Sequence, residues 1–357
     1  MKLVVTANKL NKRKVIPVAF PDTENIMGVV HKGFAFEGVE VANTVNPGLG
    51  KWYKDRDGYF YWSSGLLVQP DEQITISTIP NWMQTLRIPG IWRVATGKNV
   101  GVAVIDTGIS MQNAELRYNK NESFVFDNGI SLQDSQGHGT HCIGLIGARN
   151  KNGKTVGTSP DCNIYVCKIA EGPSLDEPET TRYAAAINWC ADQDNIHVIS
   201  ISWGSFIRNK EILNKINDAI IKAVKKKKII VCAVGDASKF NDPGPLYPAA
   251  FENTIGIGSI PVKDILYPYV NHSLVTMMDG FNIPSYGLNG QILEMTGTSQ
   301  SNAIVAGIVA LIIEKKKFVY DIADIRRILL GTSILQNFEG IQLPVLNGDL
   351  LLNFFQN

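Results

Sequence analysis

The sequence predicts an α/β protein, with a doubly wound, mostly parallel sheet covered by helices on both faces and a small β domain before it. Two observations predict the sheet: five apolar runs with the length of buried strands follow residue 86, and helix-like segments separate them. A third observation predicts the small domain, because residues 1–70 contain short β-like runs and no helical period.

The small β domain is predicted over residues 1–70, with a linker at 71–85. Its runs are rich in Val, Phe, Tyr and Trp and are separated by Gly, Pro and Asn. The stretch WYKDRDGYFYWSSGL (52–66) resembles the closing hairpin of bacterial SH3-like domains. That resemblance implies a small SH3-like β-barrel.

The main domain is predicted over residues 86–357. Its strands are predicted at 99–106, 163–170, 196–203, 228–234 and 254–260, and its helices at 181–193 and 209–227. The lysine run 225–228 is interpreted as a solvated helix end, where cations interact favourably with the helix dipole. Ligands of such sheets bind at the carboxyl ends of the strands, which is where Asp106, Ser202 and Asp236 fall.

The composition is that of an ordinary globular protein, with 45% hydrophobic and 19% charged residues among 357. A net charge of +1 gives no electrostatic reason to expect nucleic acid or an acidic membrane as a partner. No apolar stretch reaches the ~18 residues of a membrane span, so we expect no transmembrane segment. The N-terminal apolar run is broken by Lys and Asn, unlike a signal peptide.

The cysteines are odd in number and show no metal-ligand spacing, and four of them lie in apolar segments. They are Cys142, Cys162, Cys167, Cys190 and Cys232. We interpret them as buried thiols, which favours a reducing compartment and a cytoplasmic location. A location in the cell envelope or outside the cell stays open for a chain whose signal peptide has been removed.

Three segments carry residues able to form a hydrolytic relay. AVIDTGI places Asp106 at a strand end, GHGTHCIG places His138 ahead of an apolar helix, and GTSQSNAIVAG places Ser299 at the start of another helix. In such a relay the Ser attacks, the His moves its proton and the Asp fixes the imidazole. Each residue alone has a plainer interpretation, as a turn residue, a loop histidine or an N-cap. Their chain order and their three contexts together favour the relay.

These three segments resemble the signature segments of subtilisin-like serine proteases, and the Asp-to-His separation of 32 residues is typical of the compact members. The resemblance covers about residues 80–357. It implies a subtilisin-like fold and a serine endopeptidase that hydrolyses peptide bonds through an acyl-enzyme, with Asp106, His138 and Ser299 as its triad.

The resemblance also implies a set of substrate-binding residues: Ser202, Trp203, Gly204, Gly235 and Leu246. A peptide or protein substrate would pair with residues 202–204 as an added strand, so that backbone bonds give affinity and pockets give specificity. Leu246 would lie at the base of the S1 pocket.

Asp236 stands where the family normally has Asn, whose amide donates a hydrogen bond to the tetrahedral oxyanion. In subtilisin itself, losing that donor costs about 10²–10³ in rate. An ionised carboxylate only accepts hydrogen bonds, whereas a protonated one donates. The sequence therefore predicts slow turnover or a preference for mildly acidic pH. A few proteins that resemble one of the prohormone convertases carry Asp here and are active.

The residues after Ser299 also depart from the family pattern, because Gln300 to Ile304 replace the usual Met-Ala-Ser-Pro-His. Two functions from different classes therefore stay open. One is an active endopeptidase, and the other is a catalytically impaired subtilisin-like fold that binds peptide or protein segments. The intact triad favours the first, since a binding module has no need of all three residues.

No metal or other cofactor is predicted. The loop 148–157 matches the family's calcium loop in length, but Lys151 falls where an oxygen ligand is expected, so calcium is the less favoured alternative. Cys142 follows the HGTH segment. In subtilisin-like enzymes a thiol at this position lies under the catalytic His and often makes the enzyme sensitive to mercurials, while a helix-buried thiol is usually inert as a nucleophile.

Two segments carry predictions about partners. The acidic stretch 170–179 lies, by similarity, at the substrate rim, where it is either solvated or selects basic residues upstream of the scissile bond. Residues 1–70 do not resemble the family's α/β propeptide. They have three open roles: targeting to a cell-wall or protein ligand, replacing the propeptide, or capping the catalytic domain.

Overall fold

The computed structural model describes residues 2–17, 24–41, 51–69, 79–127, 129–149, 157–172, 176, 178–236, 246–262 and 273–357. The chain divides into two compact units, Met1–Ile74 and Thr75–Asn357. Within the described ranges, no helix is both long and apolar enough to span a bilayer.

The first unit is a small antiparallel β structure. Its strands are β1 (Lys2–Val5), β2 (Lys9–Arg13), β3 (Ile26–His31), β4 (Ala35–Val41), β5 (Trp52–Asp55), β6 (Phe60–Trp62) and β7 (Leu66–Gln69), in the sheet order β3-β2-β6-β5-β4-β1-β7. The aromatic segment forms the β5–β6 hairpin, which turns at Gly58 with a φ of +89°. Trp52 and Tyr61 are fully buried, and the Tyr61 hydroxyl donates to Asp55 at 2.8 Å. Together with the buried aliphatic side chains of Leu3, Val5 and Leu10, these aromatic side chains form the core of this unit.

The second unit is built on a nine-stranded sheet in the order β17-β18-β14-β13-β12-β11-β8-β10-β9. Its strands are β8 (Gly101–Asp106), β9 (Phe124–Val125), β10 (Asn163–Lys168), β11 (Val198–Ile201), β12 (Ile229–Ala233), β13 (Ile255–Ser259), β14 (Leu274–Met278), β17 (Ser333–Phe338) and β18 (Ile341–Leu346). Every pairing is parallel except that of β17 with β18. A separate hairpin comprises β15 (Ile283–Tyr286) and β16 (Ile292–Met295). The predicted mostly parallel sheet is confirmed.

The helices of the second unit are α1 (Asn81–Thr85), α2 (Ile88–Ile91), α3 (His138–Gly147), α4 (Thr181–Asp192), α5 (Lys210–Lys225), α6 (Thr298–Lys315), α7 (Ile322–Gly331) and α8 (Gly348–Gln356). Helix α1 lies inside the range that the sequence assigned to the linker. Helices α4 and α5 share an apolar cluster with Ile199 and Ile201 of β11, whereas Asn302 of α6 contacts Ser200 between them. Because neighbouring strand residues point to opposite faces, helices cover both faces of the sheet.

Helix α6 runs through the interior, with 15 of its 18 residues buried. A helix that is apolar on all sides belongs in a core. Near its C-terminal end, the Glu314 carboxylate accepts hydrogen bonds from the N–H groups of Thr96, Gly97 and Lys98 at 2.7–2.9 Å. This helix therefore holds a fixed position relative to the start of β8.

Lys225, Lys226 and Lys227 are exposed at the end of α5, as predicted, and one correction concerns the last residue of the lysine run. Helix α5 ends at Lys225, and Lys228 is 5% exposed rather than solvated. Its ammonium group donates to the carbonyls of Gln193 and Ile196 at 2.6 and 2.7 Å. Those carbonyls compensate for the burial of the charge.

Candidate active site

Asp106 and His138 form a hydrogen-bonded pair at the carboxyl end of β8, in which the aspartate is buried and the histidine is partly exposed. Asp106 Oδ1 lies 2.8 Å from His138 Nδ1 and also accepts from the Thr107 N–H at 2.8 Å. The aspartate is 1% exposed, and the histidine side chain is 27% exposed. Because a carboxylate can only accept, Nδ1 carries a proton, and whenever the ring is neutral Nε2 has the lone pair of a base.

The loop that ends at His138 is held by a residue that the sequence analysis missed. Asp134 is 2% exposed, and one of its oxygens accepts from the N–H groups of Gln136 and Gly137 at 2.8 and 2.9 Å. Its other oxygen accepts from the Thr140 N–H at 2.9 Å and from the Thr140 hydroxyl at 2.6 Å. A carboxylate at a helix N-terminus satisfies otherwise unpaired N–H groups. The one feature of the sequence that indicates this capping role is an Asp placed shortly before an apolar helix.

Ser299 lies in the first turn of α6, where it exchanges hydrogen bonds with the end of β11. Its hydroxyl donates to the Ser202 carbonyl at 2.8 Å, and the Ser202 hydroxyl donates to the Ser299 carbonyl at 3.0 Å. Asn302 donates to the hydroxyls of Ser200 and Ser202 at 3.2 and 3.1 Å. These hydrogen bonds fix the start of α6 against the residue that follows β11.

These residues border one cleft of about 480 Å³. The predicted site residues that line it are His138, Ser202, Trp203, Gly204, Gly235, Asp236, Leu246 and Ser299. Asp106 lies behind His138. A Cβ on Gly204 would collide with the Leu246 side chain, so these two residues form one wall of the cleft. The same resemblance implies that Ala237 helps to set the size of the S1 pocket, but Ala237 lies outside the described residues.

Asp236 is 3% exposed and follows Gly235, whose φ is +90°. Glycine adopts this left-handed conformation without steric cost, so the chain can turn sharply after β12 and bring the carboxyl group to the cleft. Gln300, which follows Ser299, is 2% exposed and lines the same cleft. In the sequence, Gln300 stands out only as a departure from a family motif.

Trp203 lies against the imidazole of His138. Its ring centroid is 5.8 Å from that of His138, and the two ring planes are inclined by 84°. An edge-to-face contact of this kind stabilises a pair of rings by about 0.5–1.5 kcal/mol. It also limits the rotation of the histidine.

Cys142 lies beneath the pair and is fully buried. Burial, with the Asp106 carboxylate nearby, raises the pKa of this thiol well above its usual range. It is therefore a neutral thiol and a poor nucleophile, in agreement with the sequence prediction. The ligand atoms of Asp106, His138 and Cys142 lie within 4.8 Å of one another, and they form the one such metal-capable cluster found in the described ranges. A metal bound there would take Asp106 and His138 as ligands, so it would compete with the hydrogen bond between them.

His141 connects α3 to the β15–β16 hairpin. It is fully buried, and its Nε2 lies 3.0 Å from the Ile283 carbonyl and 3.2 Å from the Leu293 carbonyl, so Nε2 carries a proton. Burial, followed by the charge of His138, lowers the pKa of His141 to about 3. This contact fixes the hairpin, whose last residue, Met295, lines the cleft.

Two predicted features lie partly outside the described residues. In the suggested calcium loop, residues 150–156 are not described, and in the acidic rim residues 173–175 and 177 are not described. In the described part of the rim, Glu171 is 2.8 Å from the buried Lys168 ammonium and accepts from Ser135 at 3.0 Å. Its charge is therefore already partly compensated by the protein.

Comparison with known proteins identifies the second unit. A family model described as the subtilase family (Peptidase_S8) matches residues 97–350. The chain is 29% identical over 255 residues to the major intracellular serine protease of Bacillus subtilis, covering 68% of this chain and 77% of that protein. It is 28% identical over 233 residues to thermitase of Thermoactinomyces vulgaris, covering 64% and 80%. With subtilisin NAT of Bacillus subtilis subsp. natto the identity is 29% over 245 residues, covering 67% and 62%.

Solved structures show the same fold. MycP1 with its N-terminal propeptide removed superimposes with a TM-score of 0.63 at 24% identity, covering 76% of this chain and 97% of that one. MycP1 from Mycobacterium smegmatis gives 0.65 at 23% identity, covering 80% and 86%.

Proposed function

The chain belongs to the subtilase family and is a subtilisin-like serine protease; from this premise we propose that Asp106, His138 and Ser299 hydrolyse peptide bonds through an acyl-enzyme, with Asp236 at the oxyanion position. The observation that carries the proposal is the 2.8 Å contact between Asp106 and His138 at the mouth of the cleft that holds Ser299.

The proposed reaction proceeds in two halves. Ser299 Oγ attacks the scissile carbonyl carbon as His138 Nε2 takes its proton, and Asp106 stabilises the imidazolium that forms. The tetrahedral intermediate then breaks its C–N bond, and the imidazolium returns the proton to the leaving amine. Water repeats the sequence on the acyl-enzyme, which releases the carboxylic acid and restores the serine.

The proposed substrate is a peptide or protein segment in extended form, bound as an added strand along residues 202–204. Strand addition suits this edge of the cleft because residues 202–204 continue the chain directly after β11. Their backbone N–H and C=O groups would pair with an extended peptide. Gly235 and Leu246 would border the S1 pocket, since both line the cleft with the nucleophile. Ser299 N–H, in the first turn of α6, would donate to the oxyanion.

A second candidate function is supported by Asp236. A carboxylate in the cleft opposes a negative oxyanion, so the fold could bind peptides and cleave them poorly. A fluorophosphonate probe separates the two candidates when labelling is compared at about pH 5.5 and about pH 7.5, with Ser299→Ala as the control. Labelling that depends on Ser299 is expected if the enzyme is competent. A folded protein that stays unlabelled at both pH values contradicts the protease proposal for this chain and leaves peptide binding.

The N-terminal unit is proposed to be an SH3-like domain, occupying residues 1–70 ahead of a catalytic domain at 86–357. Its antiparallel strands and aromatic β5–β6 hairpin support this. A cell-wall or protein ligand is the proposed partner. Sedimentation with cell-wall material tests this, with a Trp62→Ala variant as comparison, because that tryptophan is 38% exposed. Equal sedimentation of both proteins at background level would contradict cell-wall binding.

The proposed location is the cytoplasm, and the proposed chemistry needs no cofactor. Five free cysteines, four of them buried, support a reducing compartment. All groups in the proposed reaction belong to the chain. Activity that survives extensive chelation, measured beside an untreated sample, is the expected result, and loss restored by calcium would contradict it.

A further inference from the structure

The cleft raises a chemical problem that Asp236 does not solve. A tetrahedral oxyanion needs hydrogen-bond donors, and an ionised carboxylate has none. The Ser299 N–H is one donor. A second donor must come from another group that borders the cleft.

Gln300 has the features of such a group. It directly follows the nucleophile on α6, it is 2% exposed, and it lines the cleft together with Ser299 and Asp236. Its side-chain nitrogen has one partner in the described part of the chain, the sulfur of Met295 at 3.9 Å. A thioether is a weak acceptor, so a buried amide is held here without a strong hydrogen bond. Burying a polar group in this way is unfavourable unless the group serves another purpose.

We infer that Gln300 is a catalytic residue, whose side-chain N–H donates to the oxyanion in place of the family's donor at position 236. The inference rests on the proposed protease function. The Gln300 amide turns from the Met295 sulfur to the developing oxygen and gives up no proton, so it changes hydrogen-bond partner without taking part in bond breaking. Exchanging a sulfur acceptor for an anionic oxygen favours the transition state over the resting enzyme, which is the condition for raising kcat.

The opposing interpretation is that Gln300 only fills space beneath the nucleophile. Gln300→Met separates the two, because methionine keeps the length and the helix preference and removes both N–H groups. The same change at Gln193 is the matched control. Gln193 follows α4, and its amide donates to the Trp189 carbonyl at 3.4 Å, away from the cleft.

Two measurements test the inference on the full-length protein. The first is kcat and KM on a peptide substrate for the wild type, Gln300→Met, Asp236→Asn and the double variant. We expect Gln300→Met to lower kcat by about 10–100-fold with little change in KM. In the Asp236→Asn background, where an amide again serves the oxyanion, the same change should cost less than about threefold. Equal losses in both backgrounds would show that Gln300 acts independently of position 236, and the inference would be wrong.

The second measurement is calorimetric binding of a peptidyl boronic acid, whose adduct with Ser299 is tetrahedral, beside the matching product peptide. We expect Gln300→Met to weaken the boronate by about 10-fold or more and to leave the product unchanged, and Gln193→Met to leave both unchanged. Tight boronate binding that is the same in wild type and Gln300→Met would overturn the inference and leave the protease proposal intact. A wild type that binds the boronate no better than the product would overturn both.

Discussion

Trp203 packs edge-to-face on His138, with 5.8 Å between the ring centroids and 84° between the ring planes. In the proposed mechanism, this contact joins a residue that borders the substrate to the residue that moves the proton. Replacing the indole with Leu should free the imidazole and remove an aromatic face that stabilises its charged form. We expect Trp203→Leu to lower kcat about 3–10-fold in steady-state assays. Trp203→Phe, which keeps a ring, should recover part of that loss, and identical rates in all three proteins would contradict a positioning role.

Asp236→Asn should increase activity. The substitution adds an amide donor at the proposed oxyanion position and removes a carboxyl group from the cleft. We expect kcat near neutral pH to rise about 10-fold or more. Rates of the wild type and the variant measured across the pH range test this prediction. No gain at any pH would contradict the proposal that position 236 serves the oxyanion.

Asp134→Asn should destabilise the loop that presents His138. The amide keeps one acceptor but loses the oxygen that receives the Thr140 N–H and hydroxyl. We expect the free energy of unfolding to fall by about 1–3 kcal/mol, and kcat to fall with it. Urea denaturation measures the first effect. Asp161→Asn, at an exposed carboxylate 3.6 Å from Arg149, is the control and should change stability by less than about 1 kcal/mol.

Acid should destabilise the protein through His141. Its pKa is about 3 in the folded state, whereas the unfolded chain takes up the proton near 6.5. The unfolded state therefore binds more protons below pH 6.5, and the free energy of unfolding should decrease as the pH falls from there toward about 3, by up to about 1.4 kcal/mol per pH unit. His141→Gln keeps an N–H donor and removes this titration. Denaturation curves at several pH values should show a shallower acid dependence for the variant, and an equal slope would contradict the assignment.

Cys142 should control sensitivity to mercurials without taking part in catalysis. Its sulfur lies beside Asp106 and His138, so a mercury adduct would disturb the relay. We expect Cys142→Ala to keep kcat within about threefold and to resist the mercurial that inhibits the wild type. Cys232→Ala, which also alters a fully buried thiol but lies outside the metal-capable cluster, should remain sensitive. Near-complete loss of activity in Cys142→Ala would mean that the thiol itself reacts.

The sequence predicted the elements that a strong local pattern encodes. Strands and helices such as β8, β12 and α4 lie within two residues of their predicted limits, because continuous apolar runs and helical periods are local signals. The pairing of Asp106 with His138 was also predictable, since both belong to recognisable segments. The role of Asp134 was not, because its partners form only when the loop closes on the start of α3.

Other features depend on packing that no local pattern records. Lys228 looked solvated within a lysine run, and its burial follows from two carbonyls more than 30 residues earlier in the chain. The orientation of the Ser299 hydroxyl depends on Ser202, which is 97 residues away. Only the structure shows that Gln300 lines the cleft and that its side-chain amide donates to the Met295 sulfur.

Because α6 is buried, Ser299 keeps its position only while the second unit as a whole stays folded. Near the start of α6, Asn302 donates to Ser200 of β11 and Ser299 exchanges hydrogen bonds with Ser202, which follows that strand. Near the end of the helix, Glu314 accepts from the N–H groups of residues 96–98. Segments this deep open only when the cooperative unit around them melts. Heat inactivation and global melting should therefore be one event, so residual turnover after heating reports the fraction of molecules whose core has survived.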